Sequence, residues 1–365
     1  MKALVLAGGY ATRLRPITYV IPKLLFPLVG KPIVCWTLEK LKRFQVEEVV
    51  LAVNYLADSL RTALGDKYKG MRIRYSLEDT PLGTGGPIKL ASRTVGLDET
   101  FIVMNGDVVA EIDLQEMLMH HKETKALVTD ALYTVKDPSR FGSGLLDSAG
   151  RIVRFVEKPA VNQAVSHLVN AGIYLIEPEV LKMIPSGRKV SIEREIFPLL
   201  AKGRKLAGFH FSGYWFDIGS LSDYRRANFE LLRKDAPEGI LRERHSRVAK
   251  NGAVRPPVYL GKRSIVEERA TAGPCLLMGD NSSIGRRAQV SESILFDGVV
   301  VGERSQVSGC VIGSNVAVGR GVRIESGSVI SPNVQISDNI RVGRNAIIHS
   351  FKEIKVNIKS GANVM

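Results

Sequence analysis

The chain carries two different patterns of hydrophobic and polar residues. Up to about residue 235, short apolar runs alternate with segments in which apolar residues recur at helical spacing. The apolar runs predict strands at Lys2–Leu6, Glu48–Val53, Arg72–Leu77 and Phe101–Met104. The spaced segments predict helices at Ile33–Phe44, Asp58–Leu64 and Pro87–Thr94. This alternation predicts an α/β domain with a Rossmann-like, mixed and mostly parallel sheet that binds ligands at the carboxyl ends of its strands.

After about residue 259 the apolar positions recur every six residues. The uninterrupted series is Ile312, Val318, Ile324, Ile330, Ile336, Val342 and Ile348. An α-helix cannot produce a period of six, whereas a coil of three short strands stacks such residues in ladders. The segment resembles the left-handed parallel β-helix built from hexapeptide repeats. We therefore predict a first domain at 1–235, a proline-containing linker at 236–258 and a β-helix at 259–365.

Composition narrows the class of protein without naming a ligand. The chain is 45% hydrophobic and 24% charged, as in ordinary soluble proteins, and no apolar run approaches the ~18 residues of a membrane helix. Three scattered cysteines without CxxC spacing indicate a reducing, cytoplasmic setting. The net charge of +14 is spread evenly, with +7 (18 basic, 11 acidic) in residues 236–365 and +7 (33 basic, 26 acidic) before them. This diffuse field favours small phosphorylated substrates over nucleic acid as partners.

The most basic turn of the chain directly follows its first strand. Gly8 and Gly9 end the strand, and Arg13 and Lys23 follow among three prolines. Glycines let backbone N–H groups approach an anion, and basic side chains supply charge, so this loop indicates phosphate binding. It lacks the G-K-[ST] of a Walker A loop and the G-x-G-x-x-G of dinucleotide-binding folds.

Several stretches, in order, resemble the sugar-nucleotide pyrophosphorylases, and most closely their mannose-1-phosphate guanylyltransferase branch. The stretches are "LAGGYATRLRPIT…PKLLFPLVGKP", "LEDTPLGTGGP", "NGDVV", "RFVEKP", "VNAGIYLI", "SIEREIFPLLA" and "GYWFDIGSLSDY". These enzymes join a nucleoside triphosphate to a sugar 1-phosphate and release pyrophosphate. One position departs from the usual G-G-x-G-T-R-L pattern, because Ala11 replaces the third glycine.

The resemblance implies a role for individual residues. Arg13 and Lys23 would hold the triphosphate, Asp107 and Asp217 would bind Mg²⁺, and Lys158 would bind the sugar phosphate; these five form the predicted catalytic set. The nucleotide-binding set is Leu6, Ala7, Gly8, Gly9, Glu78 and Gly83. The sugar-binding set is Gly106, Gly142, Glu157 and Asn170.

The choice of base and sugar stays open at this point. An ionised carboxylate only accepts hydrogen bonds, and guanine offers adjacent N–H donors, so Glu78 favours GTP over UTP or dTTP. The leading hypothesis is GTP and mannose 1-phosphate, and the alternative is a glucose-1-phosphate uridylyl- or thymidylyltransferase. A catalytically silent, regulatory sugar-nucleotide-binding subunit is a hypothesis of another class.

Histidines offer weaker candidates. His120 and His121 fall on a polar face of a predicted helix at Leu114–Thr124, where we expect them in solvent rather than on a metal. His349 lies in the repeats, and a β-helix acyltransferase would use a histidine near its coenzyme A groove.

We expect the repeats to serve assembly and stability. Every residue proposed for chemistry lies before Asp235, so the repeats are not expected to take part in it. The end coils of a β-helix need a cap, which a second subunit can supply, and we predict a homo-oligomer.

Overall fold

The computed structural model describes residues 1–54, 56–160, 163–236 and 239–365, and these form two compact units. The first unit contains residues 1–10 and 33–218, and the second contains 11–32 and 219–365. This division does not follow chain order, because residues 11–32 (hereafter the N-terminal loop) pack with the last third of the chain. Pro237 of the predicted linker lies outside the described residues.

The first unit is built on a mixed sheet whose centre is parallel. Strand Lys2–Leu6 lies between Glu48–Val53 and Phe101–Asn105, and Glu48–Val53 also pairs in parallel with Met71–Leu77. The three central strands are buried along most of their length, as expected when helices cover both faces of a sheet, whereas Met71–Leu77 alternates between buried and more exposed residues. The four predicted strands are therefore confirmed.

Antiparallel strands extend the sheet beyond Phe101–Asn105. Leu168–Ile176 pairs with that strand, with Gly142–Leu146 and with Val128–Thr134. The other strands of the unit are Lys67–Tyr68, Val108–Ala110, Ile152–Glu157, Leu206–His210 and Trp215–Asp217. The prediction of a mixed, Rossmann-like sheet is thus confirmed.

Amphipathic helices cover the sheet. They are Ile33–Arg43, Ala57–Leu64, Gly85–Thr94, Leu114–Thr124, Val180–Met183 and Phe197–Lys202, the last preceded by a π-helical turn at Ile192–Ile196. The three helices predicted from apolar spacing are present, within two residues at each end. Asp113 begins Leu114–Thr124 by accepting hydrogen bonds from the N–H groups of Gln115 and Glu116, which would otherwise lack partners at the helix start.

The second unit is dominated by three parallel sheets of very short strands, consistent with the predicted β-helix. One sheet contains Ile240–Arg242, Val258–Leu260, Leu276–Met278, Ser293–Leu295, Val311–Ile312, Val329–Ile330, Ile347–Ile348 and Asn363–Val364. The next contains Arg247–Val248, Ile265–Val266, Ser283–Ile284, Val300–Val301, Ala317–Val318, Gln335–Ile336 and Glu353–Ile354. The last contains Ala253–Val254, Thr271–Ala272, Gln289–Ser291, Gln306–Ser308, Arg323–Ile324 and Arg341–Val342.

The first coil of the β-helix begins earlier than the sequence analysis placed it. Ile240–Arg242 pairs in parallel with Val258–Leu260, and both Val248 and Val254 pack against the buried core of the coils. Most of the segment predicted as a linker is therefore part of the β-helix. Its Pro256–Pro257 pair lies directly before a strand, where a coil turns its corner.

The three sheets differ in the residues that point away from the core. On the second and third sheets these positions are mostly polar, and most are exposed. On the five middle strands of the first sheet they are apolar and buried: Tyr259, Leu277, Ile294, Val311 and Val329. We call this first-sheet surface the covered face. Its burial requires other parts of the chain to lie on it.

The N-terminal loop and one long helix complete the second unit. The loop forms helical turns at Thr12–Leu14, Ile17–Tyr19 and Lys23–Leu25 and a small hairpin that pairs Pro27–Leu28 with Lys31–Pro32. The helix Leu221–Asp235 begins at Ser220, whose hydroxyl accepts a hydrogen bond from the N–H of Asp223. Nowhere in the described residues does a helix combine the length and apolarity that a membrane crossing requires.

Candidate active site

Residues from adjacent strand ends meet at one edge of the parallel sheet. The N–H of Gly106 donates to the carbonyl of Leu6 at 2.9 Å, and the N–H of Ala7 donates to Ala52 at 2.8 Å. Asp107 follows Gly106 directly. The carboxyl ends of neighbouring parallel strands thus place members of the predicted nucleotide, sugar and metal sets side by side, as the sequence predicts.

Gly8 lies against Glu78 at the same edge. A Cβ on Gly8 would come within 2.6 Å of Glu78 Oε1, so only glycine fits without displacing the carboxyl group. The side-chain amide of Asn54 donates to the carbonyl of Gly8. Asn54 was not predicted as a site residue, although it directly follows strand Glu48–Val53 and so lies at the carboxyl end of that strand.

Glu78 is buried and partly engaged within its own loop. Its Oε2 accepts the N–H of Leu82 at 3.0 Å, and the residue is 5% exposed. Burial raises the pKa of this carboxyl, and the Leu82 hydrogen bond opposes that shift. Its other carboxylate oxygen, Oε1, lies against Gly8, and its predicted contact with a nucleotide stays a prediction.

Gly83 has a structural reason to be glycine. Its φ of +82° lies in the left-handed region, and a Cβ would come 2.3 Å from the carbonyl oxygen of Val190. That oxygen accepts the N–H groups of Thr84 and Gly85 at 3.0 and 2.9 Å. Gly83 thus shapes the start of helix Gly85–Thr94, and its predicted contact with nucleotide stays a prediction.

The backbones of the two predicted metal ligands are adjacent at the end of a small ladder. Strand Trp215–Asp217 runs antiparallel to Val108–Ala110, and the N–H of Ile218 donates to the carbonyl of Asp107 at 3.0 Å. Two aspartates on neighbouring strands offer hard oxygen ligands. No cluster of three or more acidic, histidine or cysteine ligands occurs in the described residues. The pair therefore fits a cation that takes its remaining ligands from phosphates and water, as Mg²⁺ does.

The predicted sugar-binding residues gather on the antiparallel side of the sheet. Gly142 lies directly opposite Glu157, and a Cβ there would come within 2.8 Å of Glu157 Oε2. Lys158 Nζ lies 3.8 Å from Glu157 Oε1. The backbone of Lys158 has a φ of 48°, in the left-handed region, directly after the strand ends. Lys158 is 61% exposed, which leaves its ammonium group open to a ligand.

Asn170 is held in a fixed orientation on the neighbouring strand. Its Nδ2 donates to the hydroxyl of Tyr174 at 2.9 Å, and its Oδ1 accepts the N–H of Gly172 at 2.6 Å. Gly172 has a φ of +73°, and the pairing register of this strand shifts between Asn170 and Tyr174. Asn170 itself still pairs with Leu132, and the irregularity begins directly after it, as β-bulges often do next to active sites.

Two buried carboxyl groups near these residues, those of Asp130 and Glu193, were not predicted from the sequence. Asp130 is fully buried opposite Tyr174, and among the described residues neither of its oxygens has a hydrogen-bond partner. Glu193 is also buried and accepts the hydroxyls of Thr84 and Ser191 at 2.5 and 2.7 Å. Burial and the proximity of Glu193 raise the pKa of both Asp130 and Glu157.

We expect Asp130→Asn to change how stability depends on pH. A carboxyl whose pKa is raised by folding contributes its full stability below the unfolded-state pKa near 3.8 and loses it as the pH rises through the folded value. Asparagine does not titrate, so the variant should gain on the wild type as pH rises, by up to about 1.4 kcal/mol per pH unit. Urea unfolding between about pH 4.5 and about pH 7.5 measures this.

The exposed Asp58→Asn variant is the matched control for that series, because its carboxyl lies in solvent. It controls for the removal of one aspartate carboxylate at an exposed position. Parallel curves for wild type and Asp130→Asn would contradict a raised pKa at Asp130.

The histidine prediction is wrong for His121. Its side chain is 2% exposed, with Nδ1 2.7 Å from the Thr129 hydroxyl and Nε2 2.9 Å from Glu177 Oε1. The helix face that carries it packs on strand Val128–Thr134 instead of facing water. Its partners are those of a satisfied core histidine.

Arg13 and Lys23 lie in the second unit, on the N-terminal loop. Each belongs to a tight helical turn whose neighbouring leucine, Leu14 or Leu24, is buried, while Arg13 is exposed and Lys23 half-buried. Ala11 adopts the left-handed conformation, with φ 45° and ψ 44°. This is the conformation that the usual glycine takes freely and that costs another residue about 1–2 kcal/mol. Ala11 therefore keeps the backbone path expected of glycine.

Comparison with known proteins decides what this arrangement is. The sequence model of the Nucleotidyl transferase family matches residues 2–234, and that of the GMPPB C-terminal domain matches residues 254–364. The chain belongs to the nucleotidyl transferase family. Enzymes of this family generally use a divalent metal ion.

Individual relatives extend the match over most of this nucleotidyltransferase. Mannose-1-phosphate guanylyltransferase 1 of Arabidopsis thaliana is 36% identical over 313 residues, covering 81% of this chain and 86% of its own. Mannose-1-phosphate guanylyltransferase of Mycobacterium tuberculosis is 35% identical over 307 residues, covering 82% and 79%. The crystal structure of HddC from Yersinia pseudotuberculosis complexed with GMP-PN matches 63% of this chain and 99% of its own, at 28% identity and a TM-score of 0.53.

Proposed function

We propose that this nucleotidyltransferase converts GTP and mannose 1-phosphate into GDP-mannose and pyrophosphate. The observation that carries the proposal is the strand-end cluster that joins the Gly8 turn, Glu78 and Asp107 at one edge of the parallel sheet. The names of the Arabidopsis and Mycobacterium relatives support guanine and mannose. HddC from Yersinia pseudotuberculosis was crystallised in complex with GMP-PN, which supports the same base.

The reaction depends on neutralising the negative charges of the two phosphate substrates rather than on transferring a proton. An oxygen of the sugar phosphate attacks the α-phosphorus of the triphosphate, and the bond from that phosphorus to the pyrophosphate oxygen breaks. The attacking phosphate is already largely dianionic near neutral pH, because its second pKa is about 6. A general base is not required. The protein must instead hold two polyanions in line and neutralise them.

The residues divide this task according to their positions. Arg13 and Lys23 bind the triphosphate, and Lys158 binds the sugar phosphate beside Glu157. Asp107 and Asp217 would hold Mg²⁺, which supplies positive charge at the α-phosphate when bound. Glu157 and Asn170 orient the sugar through its hydroxyl groups.

One assay tests the proposal as a whole. The purified protein is incubated with Mg²⁺, each of the four nucleoside triphosphates and a panel of sugar 1-phosphates, and pyrophosphate release is measured. We expect the highest kcat/KM with GTP and mannose 1-phosphate. A preference for UTP or dTTP with glucose 1-phosphate would replace the substrates but keep the reaction. Release with none of the pairs would indicate a silent, regulatory binding protein.

We expect Glu78→Gln to erode the preference for GTP over UTP and dTTP. A carboxylate accepts two donors from guanine, whereas an amide accepts with one group and donates with the other. The loss should be about 1–3 kcal/mol in relative kcat/KM, the scale of one bidentate base contact. Gln can still accept the Leu82 N–H, so the loop should stay folded. An unchanged nucleotide ranking would assign Glu78 to loop structure alone.

Two further proposals concern the state of the protein. We propose that it is a homo-oligomer assembled through the β-helix, supported by end coils whose backbone groups need a partner. We place it in the cytoplasm, because the three cysteines are free thiols, of which Cys35 and Cys310 are buried. Light scattering on the full-length protein measures the first of these.

A further inference from the structure

The N-terminal loop is fastened to the β-helix by an aromatic cluster. The ring of Phe26 packs edge-on against Phe296 of the β-helix, with ring centroids 5.4 Å apart, and against Tyr224 of helix Leu221–Asp235 at 5.5 Å. All three side chains are fully or almost fully buried. Such edge-to-face pairs add about 0.5–1.5 kcal/mol each to the burial of the rings.

Hydrogen bonds fix the backbone of the same loop. The hydroxyl of Tyr224 donates to the carbonyl of Pro27, and the N–H of Val29 donates to Asn228 Oδ1 at 2.9 Å. Asn228 in turn donates through Nδ2 to the carbonyl of Tyr224 at 3.0 Å. The loop therefore has buried hydrogen bonds as well as ring contacts to hold it.

A close approach at the hairpin adds a third restraint. Gly30 has a φ of +79°, and a Cβ there would lie 1.9 Å from the hydroxyl oxygen of Tyr259. Tyr259 belongs to the covered face, so the loop backbone lies directly on this surface. A cavity of about 210 Å³ beside this contact is lined by Ile21 and Leu25 of the loop and by Leu277 and Ile294 of the covered face. The loop thus accounts for part of the burial of the covered face.

These contacts lie next to the basic residues of the loop. Phe26 ends the turn that Lys23 begins, and its N–H donates to the carbonyl of Lys23 at 3.0 Å. A displacement of the Phe26 ring therefore moves the backbone that carries the Lys23 ammonium. Misplacing a substrate-binding group by about 1 Å can cost an enzyme on the order of a hundredfold in rate.

We propose that Phe296 of the β-helix is a positioning residue for nucleotidyl transfer, acting through Phe26 on Lys23. The inference rests on the proposed function, in which Arg13 and Lys23 hold the triphosphate. It assigns the β-helix a part in the reaction itself, beyond assembly. Its consequence is selective: a loosened loop should impair use of the triphosphate and leave binding of the sugar phosphate intact.

The test is steady-state kinetics of full-length Phe296→Ala with both substrates varied. We expect KM for the nucleoside triphosphate to rise about tenfold and kcat to fall about tenfold, with KM for the sugar phosphate within about twofold of the wild type. Phe296→Leu, which keeps most of the apolar volume, should recover much of the loss. Phe351→Ala is the matched control, because this β-helix aromatic is 72% exposed.

A double-mutant cycle separates positioning from general loss of stability. Phe26→Leu and Phe296→Leu should each raise KM for the triphosphate, and the double variant should be no worse than the stronger single one, because both act through one contact. The inside-facing Ile330→Val weakens the β-helix core without touching the loop and should leave both KM values unchanged. Additive effects, or equal changes in both KM values, would overturn the proposal.

The outcome is distinguishable from a failure of the proposed function. If the wild type releases no pyrophosphate with any substrate pair, the proposed function fails. If the wild type is active and folded Phe296→Leu and Phe296→Ala match it, only the positioning role fails. Where Phe296→Ala does not fold, the leucine variant and the cycle carry the test.

Discussion

Asp107→Ala should lose most of its turnover while the protein stays folded. Asp107 follows the end of strand Phe101–Asn105, and the N–H of Ile218, the residue after Asp217, donates to its carbonyl at 3.0 Å. Without its carboxylate, the charge on the α-phosphate is poorly screened. Removing a stabiliser of this kind typically costs about 10²–10³ in rate or more. Pyrophosphate release under saturating substrates measures the loss, and circular dichroism checks the fold.

The matched control for Asp107→Ala is Asp58→Ala. Asp58 is an exposed aspartate in the first turn of helix Ala57–Leu64, and its replacement should leave turnover within about twofold, as for surface substitutions in general. Near-normal activity of Asp107→Ala would remove this residue from the metal site. Asp217→Ala should then be measured, since the remaining carboxylate would have to hold the ion.

Lys23→Ala and Lys158→Ala should each lower kcat/KM by about 10²–10³, but for different substrates. Lys23 lies on the N-terminal loop, and Lys158 lies beside Glu157 on the antiparallel side of the sheet. We therefore expect the larger rise in KM for the triphosphate in the first variant and for the sugar phosphate in the second. Both should also lower kcat, because charge is redistributed in the transition state.

Exposed lysines provide the controls for this pair. Lys122→Ala tests the first unit and Lys250→Ala the second, and neither should change either KM by more than about twofold. Identical shifts in both KM values for Lys23→Ala and Lys158→Ala would contradict the division of labour between the two lysines.

Elements whose burial produces a regular pattern of apolar residues were predicted correctly from the sequence. Buried parallel strands appear as short apolar runs, and the strands at Lys2–Leu6 and Glu48–Val53 were predicted to the residue. The π-helical turn Ile192–Ile196 has no comparable sequence signal. Neither did the shift in strand pairing beside Asn170, since it depends on contacts with neighbouring strands.

The period of six already occurs in the sequence before residue 259, although a linker was predicted there. Val248, Val254, Leu260, Val266 and Ala272 already keep the period of six, and all pack in or against the core. Prolines 256 and 257 read as a linker because proline interrupts regular structure in most contexts. At the corner of a coil no ladder hydrogen bond is required, so proline is tolerated there.

The packing of the N-terminal loop on the β-helix was not predicted, although the sequence indicates that one face of the β-helix is covered. Outward positions on the covered face are apolar, as at Leu277 and Ile294, whereas matching positions on another face are polar, as at Gln289 and Gln306. That contrast indicates a covered surface. It does not say which part of the chain covers it. The structure shows that the loop carrying Arg13 and Lys23 packs with the repeats, and the expectation that the repeats take no part in the chemistry stays a prediction.

The position of the N-terminal loop in the second unit has a consequence during synthesis. Residues 11–32 leave the ribosome early, but the segments they pack against begin at residue 219. At about 5–20 residues per second, a bacterial or eukaryotic ribosome needs on the order of 10–40 s to make the intervening chain. For that interval the Phe26 ring lacks Tyr224 and Phe296, the two rings against which it packs in the folded chain. The aromatic contacts that hold the first basic loop can therefore form only after Tyr224 and Phe296 have been synthesised, late in translation.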